Sequence, residues 1–350
     1  MEEVWQDYGL DELQQKLRNL FPEYSISLSE LLEKILSGDI LGALGVLYEG
    51  SIGNGIHQLA GLKDIMLLLL LLGIAASVMN HFVEIFDKHQ IADLGYYFMY
   101  LLFVTILFQC FVQTAQIAAE TLEKLVLFIQ MMVPTYLVAV GVATGTTTVA
   151  AYSQLLVCII YGVEQVLRKI VCDMVSVYVV LSMVNGIWVE EKLSMLIELI
   201  GKLIGLILKA SLAVVTGVSI FQTLITPVID SAKSSILQKA VSAIPGIGNM
   251  AEGVAELVVG SAVIIKNSIG VLLLLLLILL CAVPLLKIYM IGWMLRLAAA
   301  VLGIVSDKRL VRCTNYIGEG CMMMFRTTQT AIILFFIVIS VVATSTNRGF

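Results

Sequence analysis

The chain has 350 residues, of which 59% are hydrophobic and 13% charged, and a net charge of −5. A soluble domain keeps about 25% of its residues charged so that its surface can face water, and this composition therefore excludes a water-soluble globular protein. It also holds no basic stripe of the kind a nucleic-acid partner requires.

The apolar residues come in blocks rich in Leu, Ile, Val, Ala and Gly, without the period of two that marks a strand. About 20 apolar residues cross the hydrocarbon core as a helix, and only helices or closed barrels satisfy their backbone in lipid. The fold class expected is all-α: a polytopic helical membrane protein with about eight spans. A re-entrant segment and a short amphipathic N-terminal region complete it.

Residues 1–60 form that N-terminal region, and residues 61–350 the membrane domain. Acidic residues dominate the first part, from Glu2 to Glu49, against Lys16, Arg18 and Lys34. Leu10, Leu13, Leu17 and Leu20 fall near helical spacing, so one face is apolar. Phe21-Pro22 ends that helix. Ser27 followed by Glu30 is a capping-box pattern ahead of Leu31, Leu32, Ile35 and Leu36, and Gly38 closes the element. Some 60 residues build a weak core alone, so these helices are expected on the membrane. No basic n-region and apolar run follow Met1. An acidic segment ahead of the first span suits the outer side, which implies a leader removed upstream.

The expected spans are Ile65–Val83, Leu94–Ala118, Leu125–Ala143, Ile170–Trp188, Ile207–Val228, Ile269–Leu286, Ile288–Val305 and Thr328–Ala343. The block from Leu193 to Ile229 is too long for one crossing and carries Glu198, Lys202 and Lys209; it splits into an interfacial helix and a span. Thr144-Gly145-Thr146-Thr147-Thr148 is too polar for lipid contact, so Val149–Val166 reads as re-entrant. Arg168 with Lys169, and Lys308 with Arg309 and Arg312, mark cytoplasmic loops. Both termini then lie outside.

Three stretches carry polar groups at membrane depth. In the second span Thr105, Gln109, Gln113, Gln116 and Glu120 share one helix face. They either bond neighbouring helices or line a wet path. Glu164 with Arg168, and Lys169 with Asp173, have ion-pair spacing, and Asp173 falls at the membrane boundary, either in a structural cluster or in a relay. The third stretch is AIPGIGNMAEGVAELVVGSAVIIKNSIG, residues 243–270. Pro245-Gly246 with Gly248-Asn249 breaks the helix. The restarted helix sets Asn249, Gly253, Glu256, Gly260 and Asn267 on a narrow face, with Lys266 beside it. Such a broken, small-and-polar element is used to line transport sites; tight helix packing accounts for the glycines equally well.

The six cysteines lie mostly in apolar runs, with no C-x-x-C pair, and the three histidines have no ligand spacing to them. They read as small buried hydrophobes, with no metal site expected. No nucleophile, H-E-x-x-H or phosphate loop stands out, and PGIGN lacks the strand and βαβ context of a nucleotide fingerprint. No catalytic residue, cofactor or enzymatic activity is therefore assigned.

With these features placed, the chain resembles the stage III sporulation protein AE family of endospore-forming bacteria. The resemblance rests on SAIPGIGNMAEGVAELVVGSAVIIKNSIG (242–270), on CAVPLLKI (281–288), and on the order of ELLEKILSGD (30–39), LKDIMLLLL (62–70) and the spans that follow. It implies a multi-pass component of the channel between mother cell and forespore, in the mother-cell membrane around the engulfed forespore. It also implies other stage III A proteins as partners, including an ATPase and ring-forming components, with stage II sporulation protein Q reached indirectly. A homo-oligomer in membrane lipid is expected, without nucleic acid. The family offers no catalytic residues to carry over. Two other readings stand beside it: a self-contained secondary transporter for a small solute or ion, and a structural anchor. The first should show a repeat. A faint one has an offset that drifts from 111 (Pro134 to Pro245) to 118 (Lys169 to Lys287).

Overall fold

The computed structural model describes residues 27–39, 89–144, 161–187, 192–241, 248–305 and 308–345, with isolated positions between 14 and 78 and at 158 and 159. Side chains are described mainly over 97–131, 161–186, 192–220, 267–304 and 308–340. Among the described residues every regular element is helical: α1 (Leu28–Leu36), α2 (His89–Thr144), a π-helical segment (Glu164–Val171) running into α3 (Cys172–Ile187), α4 (Ser194–Val241), α5 (Gly248–Val305) and α6 (Lys308–Ser345).

α1 forms as its caps require. Ser27 sits in extended backbone (φ −96°, ψ 110°) and its hydroxyl accepts from the Glu30 amide, one of the donors that a helix start leaves unsatisfied. At the other end Gly38 adopts φ +80°. Its amide donates to the Ile35 carbonyl at 3.0 Å, and the Asp39 amide to the Lys34 carbonyl at 2.9 Å. This is the paired C-terminal cap that a left-handed glycine permits. Asp39 then caps the next turn, accepting from the Gly42 amide at 2.8 Å. The buried face of α1, Leu28, Leu31 and Leu32, packs on the membrane domain, against α5.

Four helices among the described residues are long and apolar enough to cross a membrane: Tyr97–Met131, Ser194–Val218, Asn267–Ile304 and Lys308–Ser340. α5 and α6 form an antiparallel hairpin; α2 packs against both, and α3 and α4 close on α6. The interior is apolar, built from residues such as Phe103, Leu107, Phe111 and Phe128 of α2, Leu276 and Leu277 of α5, and Leu334 and Phe335 of α6. Many hydroxyls in the helices bond the carbonyl one turn back, as in Thr114 to Cys110, Ser182 to Tyr178, Thr314 to Leu310 and Thr327 to Met323. That settles their hydrogen-bonding where water is absent.

Glycines set the closest approaches. A Cβ on Gly320 of α6 would meet the Val179 methyl of α3, and one on Gly292 of α5 would come within 2.9 Å of the Met322 sulfur of α6. Close backbone approach is the usual source of affinity between membrane helices. Tyr100 of α2 donates to the Met183 carbonyl at 2.8 Å. The Asn185 side chain accepts from the Leu193 amide at 2.9 Å and ties the turn between α3 and α4.

The structure departs from the sequence expectations at four places. Leu94–Ala118 and Leu125–Ala143 are not two helices but parts of the continuous α2, and Ile269–Leu286 and Ile288–Val305 are likewise one α5. Glu120, Glu123, Lys124 and Lys287 lower the hydropathy there, yet Glu and Lys are good helix formers, and Lys287 alone cannot reverse a chain. Pro284 lies inside α5 without ending it. The expected division of 193–229 is absent, since α4 runs unbroken; Glu198 and Lys202 pair at 2.7 Å on its exposed edge. Finally, Arg168 and Lys169 are in helix rather than in a loop. The Thr-rich break at 145–148, and most of Ile65–Val83, lie outside the described residues.

Candidate functional site

α2 carries its polar stripe outward. Thr105, Gln109, Gln113, Gln116, Glu120 and Glu123 are all exposed, while Leu107, Cys110, Phe111, Thr114 and Ala118 face the interior. Residues 105 to 123 cover 18 steps, about 27 Å along a helix, close to the roughly 30 Å of a hydrocarbon core. Among the described residues, the glutamines therefore do not serve as bonds to the bundle's interior. They face whatever lies beside the bundle.

The lower end of this stripe meets a band of charge. Arg168, on the π-helical segment, pairs with Glu123 of α2 at 3.2 Å; the side chain of Glu164, the partner that the i, i+4 spacing suggested, lies outside the described residues. Between α2 and α5 lies a cavity of about 130 Å³ lined by Glu120, Thr121, Lys124 and Lys287 above the apolar Phe128 and Leu277. Pro284, also in its wall, has no amide to give the carbonyl one turn earlier.

A third charged group holds the α5–α6 hairpin. Glu319 is in contact with the Arg296 guanidinium through one oxygen and with Arg326 at 3.4 Å through the other. The Arg296 Nε is buried without a hydrogen-bond partner among the described residues. The sequence reading missed this triad. Its signal was present: Glu319 and Arg326 are seven apart, two turns on one face, and Arg296 is a lone charge between apolar neighbours.

Of the other residues singled out, Asp173 is exposed in the first turn of α3, and Asn267 is half-buried on α5. Gly253, Glu256, Gly260 and Lys266 belong to the helical backbone of α5, with side chains outside the described residues. Pro245 and Gly246 also lie outside them; α5 begins at Gly248. Cys110, Cys281, Cys313 and Cys321 are buried, and Cys158 is exposed.

Fold and site together define a multi-pass helical membrane protein whose polar groups gather on one outward helix face and between helices. The chain belongs to the stage III sporulation protein AE family, whose model matches residues 26–346, and so to the stage III A sporulation system. It is 20% identical over 292 residues to stage III sporulation protein AE of Bacillus subtilis (strain 168), a match covering 83% of this chain and 73% of that protein. No solved structure matches it.

Proposed function

We propose that this chain is a membrane component of the multiprotein, secretion-like channel linking mother cell and forespore, required for forespore development. It sits in the mother-cell membrane around the forespore. Its neighbours are other copies of itself and the other stage III A proteins, an ATPase and ring-forming components among them, and it reaches stage II sporulation protein Q through these. It carries no catalytic step; energy comes from the ATPase.

The observation that carries this reading is the outward stripe of Gln109, Gln113 and Gln116. An amide side chain is costly in hydrocarbon without a partner, and polar side chains inside membranes mark helix contacts or wet paths. With the polar face outward and Phe103, Leu107 and Phe128 filling the interior, a path lies between chains rather than within one. This favours a channel subunit over a self-contained transporter. Replacing all three glutamines by Leu in a sporulating strain is expected to leave membrane abundance unchanged while co-purification with the stage III A partners and forespore gene activation fall. Glu256→Gln is scored in the same three assays, as the proposed pore carboxylate of α5. Wild-type complex formation and activation in the triple glutamine variant would sink the reading.

A further inference from the structure

Two outward surfaces of the bundle carry polar groups of complementary chemistry. On α6, Glu319 serves two arginines, Arg296 and Arg326. Among the described residues none of these three has a further ion pair or hydrogen bond. One guanidinium charge is therefore left over, and Arg326, its side chain 53% exposed, presents it outward. On α2, Glu120 is exposed at the end of the glutamine stripe. It lines a cavity with Lys124 and Lys287, yet closes no ion pair or hydrogen bond among the described residues.

The two surfaces stand at one depth and on different sides. Tyr289 of α5 packs on Phe325 of α6 with ring centroids 5.2 Å apart, which puts Arg326 at the level of Tyr289. Glu120 stands beside Pro284 and Lys287 of α5. From Tyr289 to Lys287 or Pro284 is two to five residues, about 3–8 Å along a helix. α2 meets α6 at Gly320, where Phe111 lies 3.7 Å from where a Cβ would stand. Glu319 and Arg326 open elsewhere around α6, between α5, whose Gly292 meets Met322, and α4, whose Gly201 meets Met323. Within one chain the two surfaces do not meet.

We propose that the α2 stripe of one copy packs on this α6 face of the next, with Glu120 meeting Arg326 and the glutamines lying along Asn315 and Glu319. This rests on reading the chain as a subunit that adjoins its own copies, and adds the surfaces they use. An ionised side chain facing hydrocarbon is costly unless paired, and the five donors of an arginine can hold two carboxylates. An amide both donates and accepts, so Gln109, Gln113 and Gln116 suit Asn315 and Glu319 alike. Because the two surfaces differ, the contact is heterologous, and copies follow one another head to tail in a ring or a row. Equal depth is what such an arrangement needs in one membrane, where successive copies cannot climb along the membrane normal.

The test co-expresses two differently tagged full chains in membranes, one carrying Glu120→Cys and the other Arg326→Cys, in a background lacking the native six cysteines. A short, membrane-permeant bifunctional thiol reagent should join the two tags. Two Glu120→Cys chains, or two Arg326→Cys chains, should give little product. Should Arg326→Cys lower membrane abundance, Gln329→Cys, exposed one turn on, takes its place. In native mass spectrometry Glu120→Gln should weaken self-association on the order of tenfold, with the melting temperature of the monomer unchanged. Oligomers without the mixed product would overturn this interface and leave the subunit reading standing, whereas a chain that is monomeric in both assays would overturn both. A dominant product between two Glu120→Cys chains would assign α2 to a two-fold contact, and a product formed only with another stage III A protein would assign it to that partner; either overturns the proposal.

Discussion

Glu319 shows how one side chain can set the packing of a hairpin. Its two oxygens meet two arginines from different helices, and Gly318 beside it lets Arg296 approach to 3.2 Å of where a Cβ would stand. Removing the carboxylate strands both guanidinium groups, which is costly where they are desolvated. The exposures, 26% for the glutamate and 53% for Arg326, discount that cost for screening by solvent. Glu319→Gln is expected to lower stability by about 1–2 kcal/mol, measured by denaturation in detergent. Changing Arg296 and Arg326 to Met together with Glu319→Leu should recover much of the loss, since no charge is left stranded. Had the single variant unfolded at the native midpoint, the triad would be a surface feature. At this scale the sequence was legible where chemistry is local: Ser27, Glu30 and Gly38 announce their caps through bonds within four residues. Arg296, on α5, and Arg168, the partner of Glu123, lie on other helices than the carboxylates they meet, and no spacing along one helix names them.

The helices themselves were legible by composition, their boundaries less so. Hydropathy falls at Glu120–Lys124 and at Lys287 as it would in a loop, but a helix continues through charges that find partners, as Glu123 does in Arg168. The glycines of helix contacts were equally ambiguous. Gly201 and Gly205 look alike in sequence; a Cβ on Gly201 would stand 3.3 Å from the Met323 methyl and 3.5 Å from the Tyr178 ring, whereas one on Gly205 meets nothing within 4 Å. Gly320 is tighter than either, since a side chain there runs into Val179 of α3. Gly320→Leu should separate α3 from α6 and cost about 3 kcal/mol or more, visible as lost membrane abundance and a lowered melting temperature. Gly205→Leu should stay within about 0.5 kcal/mol of the native chain. Equal behaviour of the two would mean that the α3–α6 contact does not carry the fold.

At the scale of the whole molecule, orientation in the membrane follows from where the positive charge ends up. The hairpin turn between α5 and α6 is followed at once by Lys308, Arg309 and Arg312, a cluster that prefers the cytoplasm. Ser182, Asn185 and Tyr316 share a small pocket with Arg309 and Arg312, so the turn between α3 and α4 belongs to the same end. Arg168, Lys169 and Lys287 sit further along the bundle among carboxylates. There Glu123 and Glu120 offset them, which weakens them as topology signals beside the Lys308–Arg312 cluster. α1, packed on α5, goes with the N-terminal segment that precedes all the long helices, and we expect it on the membrane side opposite the Lys308–Arg312 cluster. Single cysteines at Glu30 and at Lys308, in a background lacking the native six, separate the two ends. Removing exposed Cys158 matters most for that background, because four of the others are buried. An impermeant thiol reagent applied to intact cells should label position 30 and leave 308 untouched until the membrane is opened. Labelling at 308 but not at 30 would invert the topology, and with it the side from which the α5–α6 turn meets its partners.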